Sequence, residues 1–151
     1  MKNYKRDKRS PTPKNASVSK MMSRIKNKNT SIEIKLRKAL YENGARGYRI
    51  NYSPLPGKPD IVFLRKKIAI LVHGCFWHGC EECGRRIPSY NNSYWNEKIT
   101  KNTTRDIKNR LLLQEGGFNV IEIWEHQLKK DFDKTISDLI QIVTDNFSTN
   151  F

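Results

Sequence analysis

Acidic residues are scarce in this 151-residue chain, 15 against 29 lysines and arginines, leaving a formal charge of +14. That imbalance disfavours a cationic partner and points to a polyanion, with nucleic acid the first candidate. Long apolar runs are missing as well. The longest reads Ile68 to Val72, far short of the ~20 residues that cross a bilayer. No basic amphipathic helix is visible, so no membrane partner is expected. Residues 1–20 contain no apolar core of a secretory signal, which suggests a cytoplasmic setting. Cysteine is limited to three residues, which cannot all pair within one chain. Their clustering favours metal over disulfide, in a reducing compartment.

What is present suits one domain with a modest core and a polar tail. Residues 1–19 are rich in Lys, Arg, Ser, Pro and Asn and cannot bury enough surface to offset ordering entropy. They read as a disordered basic arm ahead of a domain over 20–151. Met21, Met22 and Ile25 among basic residues suggest a short basic helix. Thr30-Ser31-Ile32-Glu33 has capping-box form, and Ile32, Leu36, Ala39 and Leu40 follow at helical spacing, predicting a helix over Ser31 to Glu42. Strands are expected at Tyr48–Tyr52, Ile61–Leu64, Ile68–Val72 and Phe118–Trp124. A basic helix is expected at Trp95–Glu115 and an amphipathic one from Phe132 to Phe147. The order α, β, β, β, α, β, α predicts a small mixed-sheet α/β domain flanked by helices.

The chain's chemistry concentrates in His73-Gly74-Cys75-Phe76-Trp77-His78-Gly79-Cys80-Glu81-Glu82-Cys83, directly after the buried strand. Cys80-x-x-Cys83 is a common ligand pair for tetrahedral zinc, and Cys75 offers a third thiolate. His126, the one histidine outside this block, would complete a Cys3His shell, and His78 is the alternative. A filled shell leaves no open position, so such a zinc would be structural. The plainer readings are three free thiols and, for His126, an ordinary surface histidine. Asp60, after Pro59, could simply cap a turn. The expected hairpin sets it beside His73, which makes it a candidate Mg²⁺ ligand, since Mg²⁺ takes one or two carboxylates plus waters and phosphate oxygens. A histidine near a metal-bound water can act as general base in phosphodiester cleavage. The capping box already accounts for Glu33. Phe76, Trp77 and Trp95 are core residues by default, but in so basic a chain they could also wedge against bases.

These motifs resemble the very-short-patch repair (Vsr) endonucleases. The resemblance is carried by Thr30-x-Ile32-Glu33, Leu55-Pro56-Gly57-Lys58-Pro59-Asp60 and His73-Gly74-Cys75-Phe76-Trp77-His78. It continues through Trp95-x-Glu97-Lys98-Ile99-x-Lys101-Asn102, Arg105-Asp106 and Trp124-Glu125. It implies a fold similar to type II restriction endonucleases, with double-stranded DNA containing a T:G mismatch as the partner. It also implies a nick 5′ to the thymine of a T:G pair left by deamination of 5-methylcytosine. Asp60 would bind Mg²⁺ with the Val72 backbone carbonyl, His78 would be general base, His73 would lie near the scissile phosphate, and Glu33 would support the site. Phe76, Trp77 and Trp95 match base-wedging aromatics, with Met22 entering from the opposite groove. Lys98 and Asn102 would read mismatched base edges, and Cys75, Cys80, Cys83 and His126 match zinc positions. The chain departs from the pattern in three places. Val72 stands where Thr is frequent, Gly79 to Glu82 replaces a His-rich run, and His126 stands where Cys can occur. A monomer is expected, with repair-pathway proteins as candidate partners. The competing reading is a zinc-stabilised DNA-binding module without catalysis.

Overall fold

The computed structural model describes residues 12–23, 29–84 and 87–145. Its elements are α1 (Ala16–Ser23), α2 (Ser31–Glu42), β1 (Arg49–Ile50), β2 (Ile61–Phe63), β3 (Ile68–His73), α3 (Asn92–Glu115), β4 (Asn119–Trp124), α4 (Glu125–Lys130) and α5 (Phe132–Asp145). The four strands form one mixed sheet in the order β1-β2-β3-β4. The first two pairings are antiparallel, while β3 and β4 run parallel with α3 as the crossover between them.

Alternation along β3 divides its apolar residues between two faces. Ile68 and Ile70 join Ile61, Phe63 and the buried faces of α2, α4 and α5. Ala69 and Leu71 join Val62, Leu113 and Phe118 on the α3 side. A strand buried on both faces reads as an unbroken apolar run, which is how Ile68 to Val72 appears in the sequence. The carboxyl ends of β3 and β4 finish side by side, His73 paired with Trp124. Such an edge is where open α/β sheets present ligand sites.

Several expected boundaries shift for local reasons. Asn15 Oδ1 accepts from Val18 N at 2.9 Å, so α1 starts at Ala16 and claims the last residues of the expected arm. Residues 1–11, Ile25 and Phe147 lie outside the described residues. The first strand shortens because Asn51 adopts φ 45, a left-handed conformation that ends the extended run. Asn91, at φ 57, turns the chain so that α3 begins at Asn92 rather than Trp95. The short helix α4 was not expected. It follows β4 directly, and the Gln127 side chain accepts from Trp124 N at 2.9 Å, a cap that six residues of periodicity could not signal.

Register also corrects the placement of Asp60. Ile61 pairs with Ile70, so Asp60 faces the Leu71–Val72 segment, not His73 directly. The preceding loop is fixed from behind. Gly57 adopts φ 72, and a Cβ there would lie 2.9 Å from the Asn109 side-chain nitrogen. Only glycine fits both the conformation and the space, and Pro59 beyond it is fully buried.

Candidate active site

Asp60 stands just ahead of β2, its Oδ2 accepting from Val72 N at 2.8 Å. It lines a small pocket with Glu33, Leu36, Arg37, Ile61 and Val72. Glu33 reaches it from the first turn of α2, where Thr30 Oγ1 accepts from Glu33 N at 3.3 Å. Thr30 therefore caps the helix, and the Glu33 carboxylate is turned toward the pocket. Burial pushes the Asp60 carboxyl up to about 6. The Val72 N–H opposes this shift, the nearby Glu33 charge adds to it, and His78 offsets part of it. Two acids at a buried strand end offer hard oxygen ligands suited to a divalent cation.

The histidines lie on the other flank of β3. His73 is 5% exposed, and its ring centroid is 4.5 Å from that of His78 and 5.1 Å from the Trp124 ring. Burial, together with the adjacent His78, holds the His73 imidazole below the ordinary histidine range, outweighing Asp106 and Glu122. His78 Nδ1 is hydrogen-bonded to Asp106 Oδ2. Burial pushes the Asp106 carboxyl up, but its hydrogen bond to His78 and the charges of His78, His73 and Arg105 carry it below the usual range. Behind His73, Glu122 Oε1 is 3.5 Å from Nε2, and Arg110 Nη1 is 3.4 Å from both Glu122 oxygens. A cleft of about 440 Å³ runs past these groups.

Cys75, Cys80, Cys83 and His126 converge, with their potential ligand atoms all within 4.8 Å of one another. The three Sγ atoms lie 3.3, 3.5 and 3.6 Å from His126 Nδ1. His126 takes the fourth corner and His78 does not. His126 Nε2 is 2.8 Å from Glu82 Oε2, the carboxylate–histidine arrangement that fixes a ligand's tautomer. Burial and the neighbouring thiols push the Cys75 thiol up to about 12 despite its contact with His126. Three thiols packed this closely fit a soft or borderline cation that displaces their protons.

Next to this knot, Phe76, Trp77 and Trp95 form a triangle of edge-on contacts with centroids 5.1 to 5.6 Å apart. Tyr94 adds a fourth ring, 5.1 Å from Trp95. All four rings remain partly exposed, so they form a surface group rather than core. Asn102 Nδ2 donates to the Trp77 carbonyl at 2.9 Å, tying the loop to α3. Met22 lies on α1, a separate element. Asp106 carried no role in the sequence reading, although Lys98, Asn102, Asp106 and Arg110 follow one another at four-residue steps on α3. Extending that helical face from Asn102 would have reached Asp106. Nothing local marks Glu122 or Tyr94.

An acid at a strand end, a histidine–aspartate pair and surface aromatics on a basic α/β scaffold suit a DNA-cleaving enzyme, and the comparisons with known proteins place the chain in the class of DNA endonucleases. The model of the family described as DNA mismatch endonuclease Vsr matches residues 12–85. The Type II nicking enzyme V.NmeAIP of Neisseria meningitidis serogroup A is 46% identical over 110 residues, covering 72% of this chain and 77% of its own. The Type II nicking enzyme V.NaeI of Lentzea aerocolonigenes is 35% identical over 145 residues, 93% of this chain and 86% of its own. DNA mismatch endonuclease Vsr of Escherichia coli is 37% identical over 114 residues, 76% of this chain and 72% of its own. The chain belongs to the Vsr family of DNA mismatch endonucleases.

Proposed function

We propose that this protein nicks one strand of duplex DNA 5′ to the thymine of a T:G mismatch arising from 5-methylcytosine deamination, in a Mg²⁺-dependent hydrolysis. The observation carrying this reading is that the Asp60–Val72 contact and the His73/His78–Asp106 group flank one strand end. The names of the relatives, a mismatch endonuclease and nicking enzymes, support it. In this reading the domain over 20–151 has the architecture of type II restriction endonucleases and acts as a monomer on DNA in the cytoplasm.

Asp60 and the Val72 carbonyl would hold Mg²⁺, with Glu33 behind Asp60. Bound there, Mg²⁺ supplies Lewis-acid stabilisation of charge on the phosphate oxygens. Asp106 holds His78 by Nδ1, leaving Nε2 to accept a proton from the attacking water. His73, held beside His78, faces the scissile phosphate. Phe76, Trp77 and Trp95 wedge at the mismatch, opposite Met22, while Lys98 and Asn102 meet the base edges. Cys75, Cys80, Cys83 and His126 would hold Zn²⁺, which supplies folding energy to the loop that carries the wedge.

The test is a labelled duplex with a central T:G pair, incubated with Mg²⁺ or without added divalent cation. A single nick 5′ to the thymine, dependent on Mg²⁺, supports the reading. Tight binding with no cleavage under either condition would instead support a zinc-stabilised binding module.

A further inference from the structure

The Lys98 ammonium is held in place before any DNA arrives. Its Nζ donates to Tyr94 Oη at 3.3 Å. It also lies 5.5 Å from the Trp77 ring centroid and 5.7 Å from that of Tyr94. Cation–π attraction therefore holds it from two sides. Tyr94, Lys98 and Asn102 succeed one another at four-residue steps, so they share one face of α3. Tyr94 is itself anchored by its edge-on contact with Trp95.

We infer that Tyr94 is a positioning residue for mismatch discrimination, its hydroxyl taking one N–H of Lys98 and directing the other two at acceptor atoms on the base edges. This rests on the reading of Lys98 as a base-contacting residue. In the major groove thymine presents the O4 acceptor where cytosine presents an N4 donor, and guanine adds O6 and N7 acceptors. A T:G pair is thus acceptor-only along an edge where C:G carries a donor. An ammonium fixed in direction matches the first and meets a donor in the second. An unrestrained lysine would lose side-chain freedom on binding and could swing to a phosphate, which carries no sequence information.

Tyr94→Phe removes the hydroxyl and keeps the ring, so packing against Trp95 survives. Affinities for T:G and C:G duplexes would be measured in Mg²⁺-free buffer for the wild type, Tyr94→Phe, Lys98→Met and the double variant, with thermal melts alongside. The ratio of T:G to C:G affinity should fall about threefold to tenfold in Tyr94→Phe. The fall should come from the T:G duplex, and the accompanying nicking loss should appear in KM rather than kcat. In the Lys98→Met background, adding Tyr94→Phe should change nothing further, the non-additivity expected of two groups that act together. An unchanged ratio in Tyr94→Phe, or an equal fall in both backgrounds, would overturn the inference. A wild type with no T:G preference would overturn the underlying reading of Lys98 as well, so the two failures are distinguishable.

Discussion

His78 and Asp106, 28 residues apart in sequence, are joined by a hydrogen bond between Nδ1 and Oδ2. A carboxylate on Nδ1 fixes which nitrogen carries the proton, leaving the other as a base. Asp106→Asn removes the charge and the tautomer preference. Its kcat for nicking should fall about 10²–10⁴-fold, the range general-base catalysis contributes. Affinity for a T:G duplex should change little. Single-turnover kinetics would check this, and near-wild-type kcat would show that Asp106 does not assist His78.

The metal knot predicts about one zinc per chain. Cys80→Ser should give unstable or insoluble protein, because a structural site contributes folding energy outright. Glu82→Gln should fold normally yet bind zinc about tenfold more weakly, since the carboxylate orients His126. Competition with a chromophoric chelator measures that difference.

Without Mg²⁺, Asp60 makes the protein sensitive to pH. Its folded pKa of about 6 lies above the ordinary 3.8, so the folded state holds the proton more tightly than the unfolded chain. The stabilising contribution is full below about 3.8 and is lost as pH rises through about 6. In Mg²⁺-free buffer at pH 8, Asp60→Asn should therefore be more stable than the wild type, by on the order of 3 kcal/mol. The gap should close toward pH 4. A variant that melts lower at pH 8 would contradict the burial of this charge.

Much of this was legible from the chain. The Ile68 to Val72 run and the cysteine spacing gave away the buried strand and the knot, because both are local patterns. Partners that meet through folding were not visible. Asp106 reaches His78, and Glu122 reaches His73, only because α3 crosses over to β4 and packs on the sheet. The one-step placement of Asp60 depended on hairpin register, which the loop sets rather than the strand residues. Helix α4 was too short to show a period. That His126, and not His78, joins the three cysteines required three-dimensional convergence.

Gly57 carries the loop that positions Asp60. Gly57→Ala should cost about 1–3 kcal/mol, from positive φ and from collision with Asn109. Asn109→Ala in the same chain should recover the collision part but not the strain. Urea denaturation of both variants would show it. Wild-type stability in Gly57→Ala would mean that the loop is not held against α3.

The central claim is that one site cuts and a neighbouring surface recognises. Asp60→Ala and Trp77→Ala, assayed side by side for T:G duplex binding and for nicking in Mg²⁺, test it most directly. Asp60→Ala should bind close to normally and fail to nick. Trp77→Ala should bind roughly tenfold more weakly or worse, since a stacking aromatic contributes about 1–3 kcal/mol per base, and should still nick at saturating protein. Asp60→Ala nicking at the wild-type rate would contradict the account.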